Sequence, residues 1–228
     1  MKRIVIAIDG PAGSGKSTTA REVARRMSYR YLDTGAMYRA LALKCLKSGI
    51  PFDDEARVGE AAETAEIDFV WEGDSARVIL DGADVTEEIR TPEVSDGSSK
   101  AAVHPGVRRA LVARQREIGA GGGIVAEGRD TTTVVFPDAA LKVFMDADLR
   151  VRAQRRKLEL AAVGESLELR DVEKDLRARD LRDAQRKESP LSRASGAVII
   201  DTTSMTVEEQ VDAVIRKAMK ILEGGAPK

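Results

Sequence analysis

The chain has 228 residues, 43% hydrophobic and 33% charged, which is typical of one globular domain with its own core. Its 37 basic and 38 acidic residues give a net charge of −1, so charge provides no reason to expect a nucleic acid or membrane partner. One cysteine, Cys45, excludes an internal disulfide and a cysteine metal cluster. One histidine, His104, excludes any nucleophile that is paired with a different histidine.

The surroundings of Cys45 and His104 and the N-terminal apolar run each predict a simple structural feature. Cys45 lies in an apolar helical pattern and is predicted to be a core residue, whereas His104, just before Pro105, is predicted to be a turn residue. The N-terminal apolar run is too short for a signal-peptide core, and no other run approaches a membrane span. We therefore expect a cytoplasmic protein.

The N-terminal third alternates short apolar strands with helices. A strand over residues 4–8 ends at Asp9-Gly10, and a helix over Lys16–Met27 follows a glycine-rich turn. A second strand at 31–32 closes on Asp33, and a helix over 36–47 stops at Gly49. Residues 67–71 and 77–80 then alternate apolar and polar around Glu72-Gly73-Asp74, which predicts a hairpin within an insert of roughly thirty residues.

The remaining residues return to the earlier pattern. Helices are predicted over 107–118 and Val207–Leu222, with a long charged helical stretch over 149–187 broken near Gly164. Buried strands are predicted over 124–126, 141–145 and 197–200. Five short apolar strands alternating with helices indicate an α/β fold with a mostly parallel sheet covered on both faces.

The strongest motif is a phosphate-binding loop that fits G-x-x-x-x-G-K-[ST], and it consists of Gly10, Pro11, Ala12, Gly13, Ser14, Gly15, Lys16 and Ser17. Its glycines allow successive N–H groups to face phosphates at the start of a helix. Lys16 would reach the β- and γ-phosphates, and the Ser17 hydroxyl would take a magnesium position. The loop follows a strand and opens a helix, which is the arrangement that distinguishes it from a chance glycine-rich turn.

Other patterns narrow the class of P-loop protein. A GTPase would need Asn-Lys-x-Asp for guanine, which the sequence lacks, and the chain is too short for most oligomeric motor ATPases. An arginine-rich segment in a small P-loop chain favours a kinase of a small metabolite, because the arginines can neutralise charge on the transferring phosphoryl group.

Three further segments resemble the successive signatures of bacterial cytidylate kinases: residues 33–39 (DTGAMYR), Gly128-Arg129-Asp130 followed by 133–138 (TVVFPD), and residues 179–186 (RDLRDAQR). They occur in the family's order and spacing, and the resemblance extends from Ile4 to about Leu222. It implies a P-loop nucleoside-monophosphate kinase fold with a five-stranded parallel sheet flanked by helices. The core would cover about 1–60, 90–148 and 190–222, a CMP-binding insert with β-structure about 61–90, and a helical lid about 149–189.

The resemblance also implies an activity. The γ-phosphoryl group of ATP would pass to CMP, and to dCMP, in pyrimidine nucleotide metabolism, with Mg²⁺ as cofactor and a monomeric enzyme without nucleic acid or membrane partners. Two alternatives stay open from the residues: a related kinase with another acceptor, such as thymidylate or adenylate, and a regulator that binds ATP without turnover.

Site residues follow from the same resemblance. ATP would be bound by the phosphate-binding loop from Gly10 to Ser17, by Thr18 and by Arg152. The acceptor nucleotide would be bound by Thr34, Tyr38, Arg39, Ser99, Arg108, Arg129, Asp130, Arg179, Asp183 and Arg186. Catalysis would depend on Lys16, Arg129, Arg155, Arg156 and Arg186. The metal would be held by Ser17 and, through water, by Asp33.

Some of these residues also have simpler interpretations. Thr34 could cap a helix beside a core tyrosine, and Gly128-Arg129-Asp130 could form a surface salt bridge. Arg108 taken alone would be a solvated helix residue. The i, i+4, i+7 spacing of Arg179, Asp183 and Arg186 also fits an exposed salt-bridge ladder.

Two other expectations concern the second signature and the lid. Thr131 and Thr132 stand where the family commonly has Met and Gly, so we expect an altered backbone in that loop. Arg152, Arg155 and Arg156 match the start of the family's lid, which would close over ATP and exclude water. The same cluster could be a basic nucleic-acid patch, although it lacks interleaved aromatic residues.

Overall fold

A computed structural model of the protein describes residues 3–73, 75–162 and 164–224. The helices and strands, in chain order, are β1 (Val5–Asp9), α1 (Lys16–Met27), β2 (Arg30–Asp33), α2 (Thr34–Lys47), α3 (Glu55–Thr64), β3 (Ile67–Glu72), β4 (Ser75–Leu80), β5 (Ala83–Asp84), α4 (Pro92–Ala101), α5 (Pro105–Gly119), β6 (Ile124–Gly128), β7 (Leu141–Asp146), α6 (Leu149–Ala162), α7 (Leu169–Ala184), β8 (Val198–Asp201) and α8 (Val207–Leu222).

The main sheet has five strands in the order β2-β6-β1-β7-β8, and every neighbouring pair is parallel. Its strands are buried on both faces because helices cover both, which explains their continuous apolar sequences. One face packs on α1 and α8, and the other on α2, α3 and α5. The predicted fold class is confirmed, and the carboxyl ends of β1, β2 and β6 lie together at one edge.

The insert is a small antiparallel sheet in the order β3-β4-β5. The predicted hairpin is present as β3 paired with β4, although Asp74, part of its turn, lies outside the described residues. The short strand β5 was not expected, because two residues are too few for a periodic pattern. Trp71 on β3 anchors the insert, since its indole Nε1 donates to the backbone oxygen of Tyr31 at 2.9 Å.

Two helices, α3 and α4, were not predicted. Helix α3 begins after the cap Asp54, and α4 begins after Thr91, whose side chain accepts from the Val94 N–H. Helix α4 contains glycine and several serines, which have low helix propensity, so tertiary packing decides its state. Gly97 in α4 illustrates this packing: the ring of Phe52 occupies the space that a Cβ at this position would need.

The charged stretch from 149 to 187 forms two helices, α6 and α7, and Gly164 lies between them with a φ of +86°. The predicted break is therefore confirmed, since a positive φ favours glycine. Both helices pack over the phosphate-binding loop through a small apolar cluster that includes Ala12, Leu160 and Leu176.

The single cysteine and the single histidine both have structural roles. Cys45 is completely buried in the core, as predicted. His104 takes the N-cap position of α5 and its ring Nε2 lies 2.6 Å from the Phe52 backbone oxygen, as expected of a residue at a turn into a helix. Among the helices of the described residues, none combines the length and apolar character that crossing a membrane requires.

Candidate active site

The phosphate-binding loop connects β1 to α1 and folds as its motif predicts. Gly13 and Gly15 have φ values of +76° and +86°, which place them in the left-handed region that only glycine adopts easily. Gly15 is also the N-cap of α1, so the free N–H groups of the first helical turn face the loop. Lys16, the first residue of that helix, is buried, and its Nζ lies 3.4 Å from the backbone oxygen of Pro11.

The charge of Lys16 is poorly compensated. Burial, and then the neighbouring Arg129 guanidinium, lower the pKa of Lys16 to about 8, while Glu127 partly opposes this shift. The Lys16 Nζ lies 3.7 Å from Glu127 Oε2. A buried ammonium group beside other cations is suited to an anionic ligand, because the ligand's charge stabilises the protonated form.

Glu127, at the end of β6, is a site residue that the sequence did not single out. Its Oε1 accepts from the Ser17 hydroxyl at 2.6 Å and from the Tyr31 hydroxyl at 3.1 Å. Burial, together with the nearby Asp33 and Glu127 charges, raises the pKa of Tyr31 well above its usual value, so Tyr31 stays a hydrogen-bond donor. The available signal was its place before Gly128-Arg129-Asp130, at the end of a predicted strand.

Asp33 and Arg39 are the first and last residues of the predicted segment 33–39. Asp33 Oδ1 accepts from the Ala36 N–H at 2.9 Å and Oδ2 from Arg39 Nη2 at 2.6 Å. Asp33, and not Thr34, therefore caps α2, because the Thr34 hydroxyl donates instead to the Glu127 backbone oxygen at 2.7 Å. These bonds fix the end of β2 and the start of α2 against the end of β6.

Arg179 and Asp183 lie on the inner face of α7, and Arg186 lies two residues beyond the end of the helix. Asp183 is buried, and its Oδ2 accepts from Arg129 Nε at 2.8 Å while its Oδ1 accepts from Arg186. Arg179 bonds through Nη1 to the Ser95 hydroxyl at 3.3 Å. Burial, and then Arg129, lower the pKa of Arg179 to about 10. The interpretation of these residues as an exposed salt-bridge ladder is therefore wrong, since all of them line the cleft.

The opposite end of the cleft contains a buried ion pair. Arg108 of α5 pairs with Asp130, and both side chains are almost completely buried, so Arg108 is not the solvated helix residue that its sequence alone suggested. The Arg108 guanidinium also lies 5.5 Å from the centre of the Tyr38 ring, a cation–π contact. Ser99 of α4 completes this end.

A single cleft brings most of the predicted residues together. The predicted residues that line it are Ala12, Gly13, Lys16, Ser17, Asp33, Thr34, Tyr38, Arg39, Ser99, Arg108, Arg129, Asp130, Arg156, Arg179, Asp183 and Arg186. Those that do not line it are Gly10, Pro11, Ser14, Gly15, Thr18, Arg152 and Arg155.

Comparisons with known proteins decide the family. The family model described as cytidylate kinase matches residues 6–220. The chain belongs to the cytidylate kinase family. It is 47% identical to a cytidylate kinase from Desulfitobacterium hafniense, over 94% of this chain and 92% of that protein. It is 43% identical to one from a Geobacter species, over 97% of this chain and 95% of that protein.

A solved structure of an uncharacterized protein from Eubacterium ventriosum superposes with a TM-score of 0.51 at 11% identity, covering 94% of this chain and 97% of that one. This likeness concerns the fold alone. Membership of the cytidylate kinase family confirms the predicted family and the predicted enzyme class, a nucleoside-monophosphate kinase.

In this member of the cytidylate kinase family, helix α6, the first helix of the predicted lid, is anchored to the phosphate-binding loop and to α7. Arg152 donates to the backbone oxygens of Ala147 at 3.0 Å and Ala12 at 3.2 Å, and to Asp180 at 2.7 Å. Arg155 donates to the Gly13 backbone oxygen at 3.4 Å. These contacts tie the guanidinium groups of Arg152 and Arg155 to the backbone of the phosphate-binding loop.

Arg155 and Arg156 differ in their surroundings. Arg155 also donates through Nη2 to the backbone oxygen of Thr202 at 2.7 Å. Arg156 pairs with Glu159 at 3.0 Å and faces the cleft. Of these three arginines of α6, only Arg156 therefore lines the cleft.

Thr131 and Thr132 lie in a π-helical turn formed by residues Thr131–Val135, and neither threonine has a positive φ. Both residues contact Asp9, at the end of β1. Their N–H groups and hydroxyls donate four hydrogen bonds of 2.5–2.8 Å to its carboxylate. Burial raises the pKa of Asp9, and these four bonds oppose that shift.

Several buried polar atoms at the cleft have no partner within the described part of the chain. They are Tyr38 Oη, Arg108 Nε, Arg179 Nε and Arg186 Nε. Buried polar groups are nearly always hydrogen-bonded in native proteins, so unsatisfied donors at a cleft indicate a ligand that accepts hydrogen bonds. A phosphate and a pyrimidine both have such acceptors.

Proposed function

We propose that this cleft transfers the γ-phosphoryl group of ATP to the phosphate of CMP, and also to that of dCMP. The observation that carries the proposal is the convergence of core and lid cations on the phosphate-binding loop. Lys16, Arg129 and Arg179 influence one another's charge across the cleft. Such a concentration of positive charge is suited to two nucleotide phosphates held close together.

The donor phosphates fit the loop between β1 and α1. The N–H groups of that loop and the Lys16 ammonium group would bind them, in the arrangement found in P-loop enzymes. The acceptor phosphate fits the opposite wall, which contains Arg39, Arg129, Arg179 and Arg186. Because the acceptor is already an ionised phosphate, positioning and electrostatic stabilisation suffice and no general base is required.

The acceptor base fits the end of the cleft with Ser99, Arg108 and Asp130. Cytosine has an amino donor beside ring nitrogen and carbonyl acceptors, so a carboxylate and a guanidinium complement its edge. The unpartnered Tyr38 hydroxyl lies within this region. Asp183 and Arg179, on α7, would contact the ribose between base and phosphate.

Magnesium fits the residues around Ser17. The Ser17 hydroxyl already lies 2.6 Å from Glu127, and no cluster of three or more metal-ligating side chains occurs among the described residues. That donor set suits Mg²⁺, which usually keeps several waters and is bound with substrate phosphates by one or two carboxylates. Ser17 would hold the ion directly, and Glu127 and Asp33 through water. Bound there, Mg²⁺ would neutralise phosphate charge during transfer.

Helices α6 and α7 would form the lid of this site. Arg156 faces the cleft from α6, and closure over ATP would bring it and Arg155 toward the transferring group. Because α6 and α7 cover the phosphate-binding loop, closure would also exclude water that could otherwise hydrolyse ATP.

A coupled assay of ADP release tests this function. The purified chain is given ATP and Mg²⁺ with CMP, dCMP, UMP, AMP or dTMP in separate reactions, and the Lys16→Met variant serves as the inactive control. We expect rapid turnover with CMP and dCMP only. Turnover confined to AMP or dTMP would refute the assigned acceptor, and ATP binding without turnover of any acceptor would refute the kinase function.

A further inference from the structure

Ser99, at the base end of the cleft, has a hydrogen-bond partner from the lid. Arg182 of α7 donates from Nη1 to the Ser99 hydroxyl oxygen at 2.9 Å. Ser99 is buried, whereas the Arg182 side chain is one-third exposed. Arg182 lies within the segment 179–186 that resembles a family signature, but the resemblance gave it no role, and it does not line the main cleft. It reaches the acceptor site only through Ser99.

This contact determines what the hydroxyl can do. A guanidinium has donors and no acceptor, so Ser99 must accept from it. The hydroxyl proton therefore points elsewhere, and among the described residues no protein acceptor takes it. The neighbouring Ser98 differs, because its hydroxyl donates to the Ser95 backbone oxygen at 2.8 Å. Of these two neighbouring serines, Ser99 is the one that retains a proton to donate to a ligand in the cleft.

A hydroxyl that donates distinguishes the two common pyrimidines. Cytosine has an unprotonated N3, which accepts a hydrogen bond, whereas uracil has a protonated N3 and can only donate there. The positive charge of Arg182 further disfavours a ligand donor directed at Ser99. A site built around a polar contact rejects an analogue that lacks the matching group, because the buried group is then left unpaired.

We propose that Arg182 is a positioning residue for acceptor selectivity: by donating to Ser99, it fixes that hydroxyl as a donor and favours cytosine over uracil. This inference rests on the proposed function, because it assumes that the base binds beside Ser99. Arg182 does not touch the nucleotide and acts only through the serine.

A purely structural role for Arg182 would have a different consequence. Arg182 Nη1 also lies 3.6 Å from Asp96 Oδ1, so the residue links α7 of the lid to α4. If that link were its whole purpose, removing it would weaken lid closure for every acceptor equally. Selectivity between CMP and UMP therefore separates the two roles, because a common effect on closure cancels in the ratio.

The test compares kcat/KM for CMP and for UMP in the Arg182→Met variant and the wild type. Loss of one oriented, charge-assisted hydrogen bond is expected to lower the CMP/UMP ratio about tenfold. KM for ATP should stay within about twofold of the wild type, since the P-loop is untouched. Ser99→Ala should lower the ratio to a similar extent, and the double variant should lower it no further, because both changes remove the same contact.

Three further variants serve as controls. Arg182→Lys keeps a donor and should retain part of the selectivity. Asp96→Asn weakens the link between α4 and α7 without removing the donor to Ser99, so it should leave the ratio unchanged. Arg177→Met removes an exposed arginine of the same helix and should also have no effect.

The outcomes separate this inference from the proposed function. If Arg182→Met lowers kcat/KM equally for CMP and UMP, or if Ser99→Ala changes the ratio and Arg182→Met does not, the positioning role is refuted. If the wild type itself does not turn over CMP, the proposed function fails and the inference fails with it. Melting curves establish that each variant folds, and calorimetric binding of CMP and UMP gives the same ratio without turnover.

Discussion

Replacement of Asp183 by asparagine tests the electrostatic design of the cleft directly. The Asp183 carboxylate is buried between Arg129 and Arg186. Burial opposes its ionisation, but the two guanidinium groups prevail and hold the pKa of Asp183 below its usual value. Asparagine has the same shape and no charge, so Asp183→Asn leaves buried guanidinium groups facing one another without compensation.

The size of the effect follows from the burial of the group. Removing one partner of a buried ion pair costs about 3–5 kcal/mol of stability. For a chain of this length, each kcal/mol lowers the melting temperature by about 2–4 °C, so we expect a decrease of about 6–20 °C. The exposed Asp175→Asn, on the same helix, should melt within about 2 °C of the wild type.

Addition of an anion should restore part of the stability that Asp183→Asn loses. Inorganic phosphate can supply the negative charge that the variant lacks, so it should raise the melting temperature of Asp183→Asn more than that of the wild type. The assay is thermal unfolding at several phosphate concentrations and constant ionic strength. The reasoning is refuted if the variant melts with the wild type, or if phosphate stabilises it less.

Three other predictions concern the residues around the phosphate-binding loop. Burial lowers the pKa of Lys16 to about 8. The ammonium group loses its proton as pH rises through that value, so kcat/KM for ATP should decrease above pH 8. A value of kcat/KM that stays constant up to pH 10 would contradict this prediction. Tyr31→Phe removes a donor to Glu127 and should raise the Mg²⁺ concentration for half-maximal activity about tenfold; an unchanged magnesium titration would refute that role. Thr131→Val removes a hydroxyl donor to the buried Asp9 and should cost about 1–3 kcal/mol in urea denaturation, whereas unchanged stability would show that the backbone donors suffice.

The main sheet was predictable because its strands are buried on both faces. Each of the five reads as a short apolar run, and each is present within one or two residues of its predicted position. The helices with strong periodicity, Lys16–Met27 and Val207–Leu222, have the predicted bounds. Helix α4 was missed because Gly97, Ser98 and Ser99 carry no helical signal, and contact with Phe52 stabilises it instead.

The site was predictable where a motif names a residue, and less so where function depends on a pair of residues distant in sequence. Arg108 and Asp130 are 22 residues apart, and the sequence alone would have left Arg108 on the surface. Glu127 and Ser17 are 110 residues apart, and the sequence alone did not bring Glu127 into the site. The order of the strands in the sheet determines which distant residues meet. Strand β6 lies between β2 and β1, and the periodicity of apolar residues in the sequence carries no information about that order.

Tyr31 connects two parts of the enzyme that the sequence separates. Its backbone oxygen accepts from Trp71 of the small sheet, and its hydroxyl holds Glu127 beside the phosphate-binding loop. Arg30, the preceding residue, covers the Trp71 ring at 5.0 Å. Grafting the small sheet of a relative onto this chain would therefore disturb Glu127 and the Ser17 end of the cleft unless strand β2 were transferred with it.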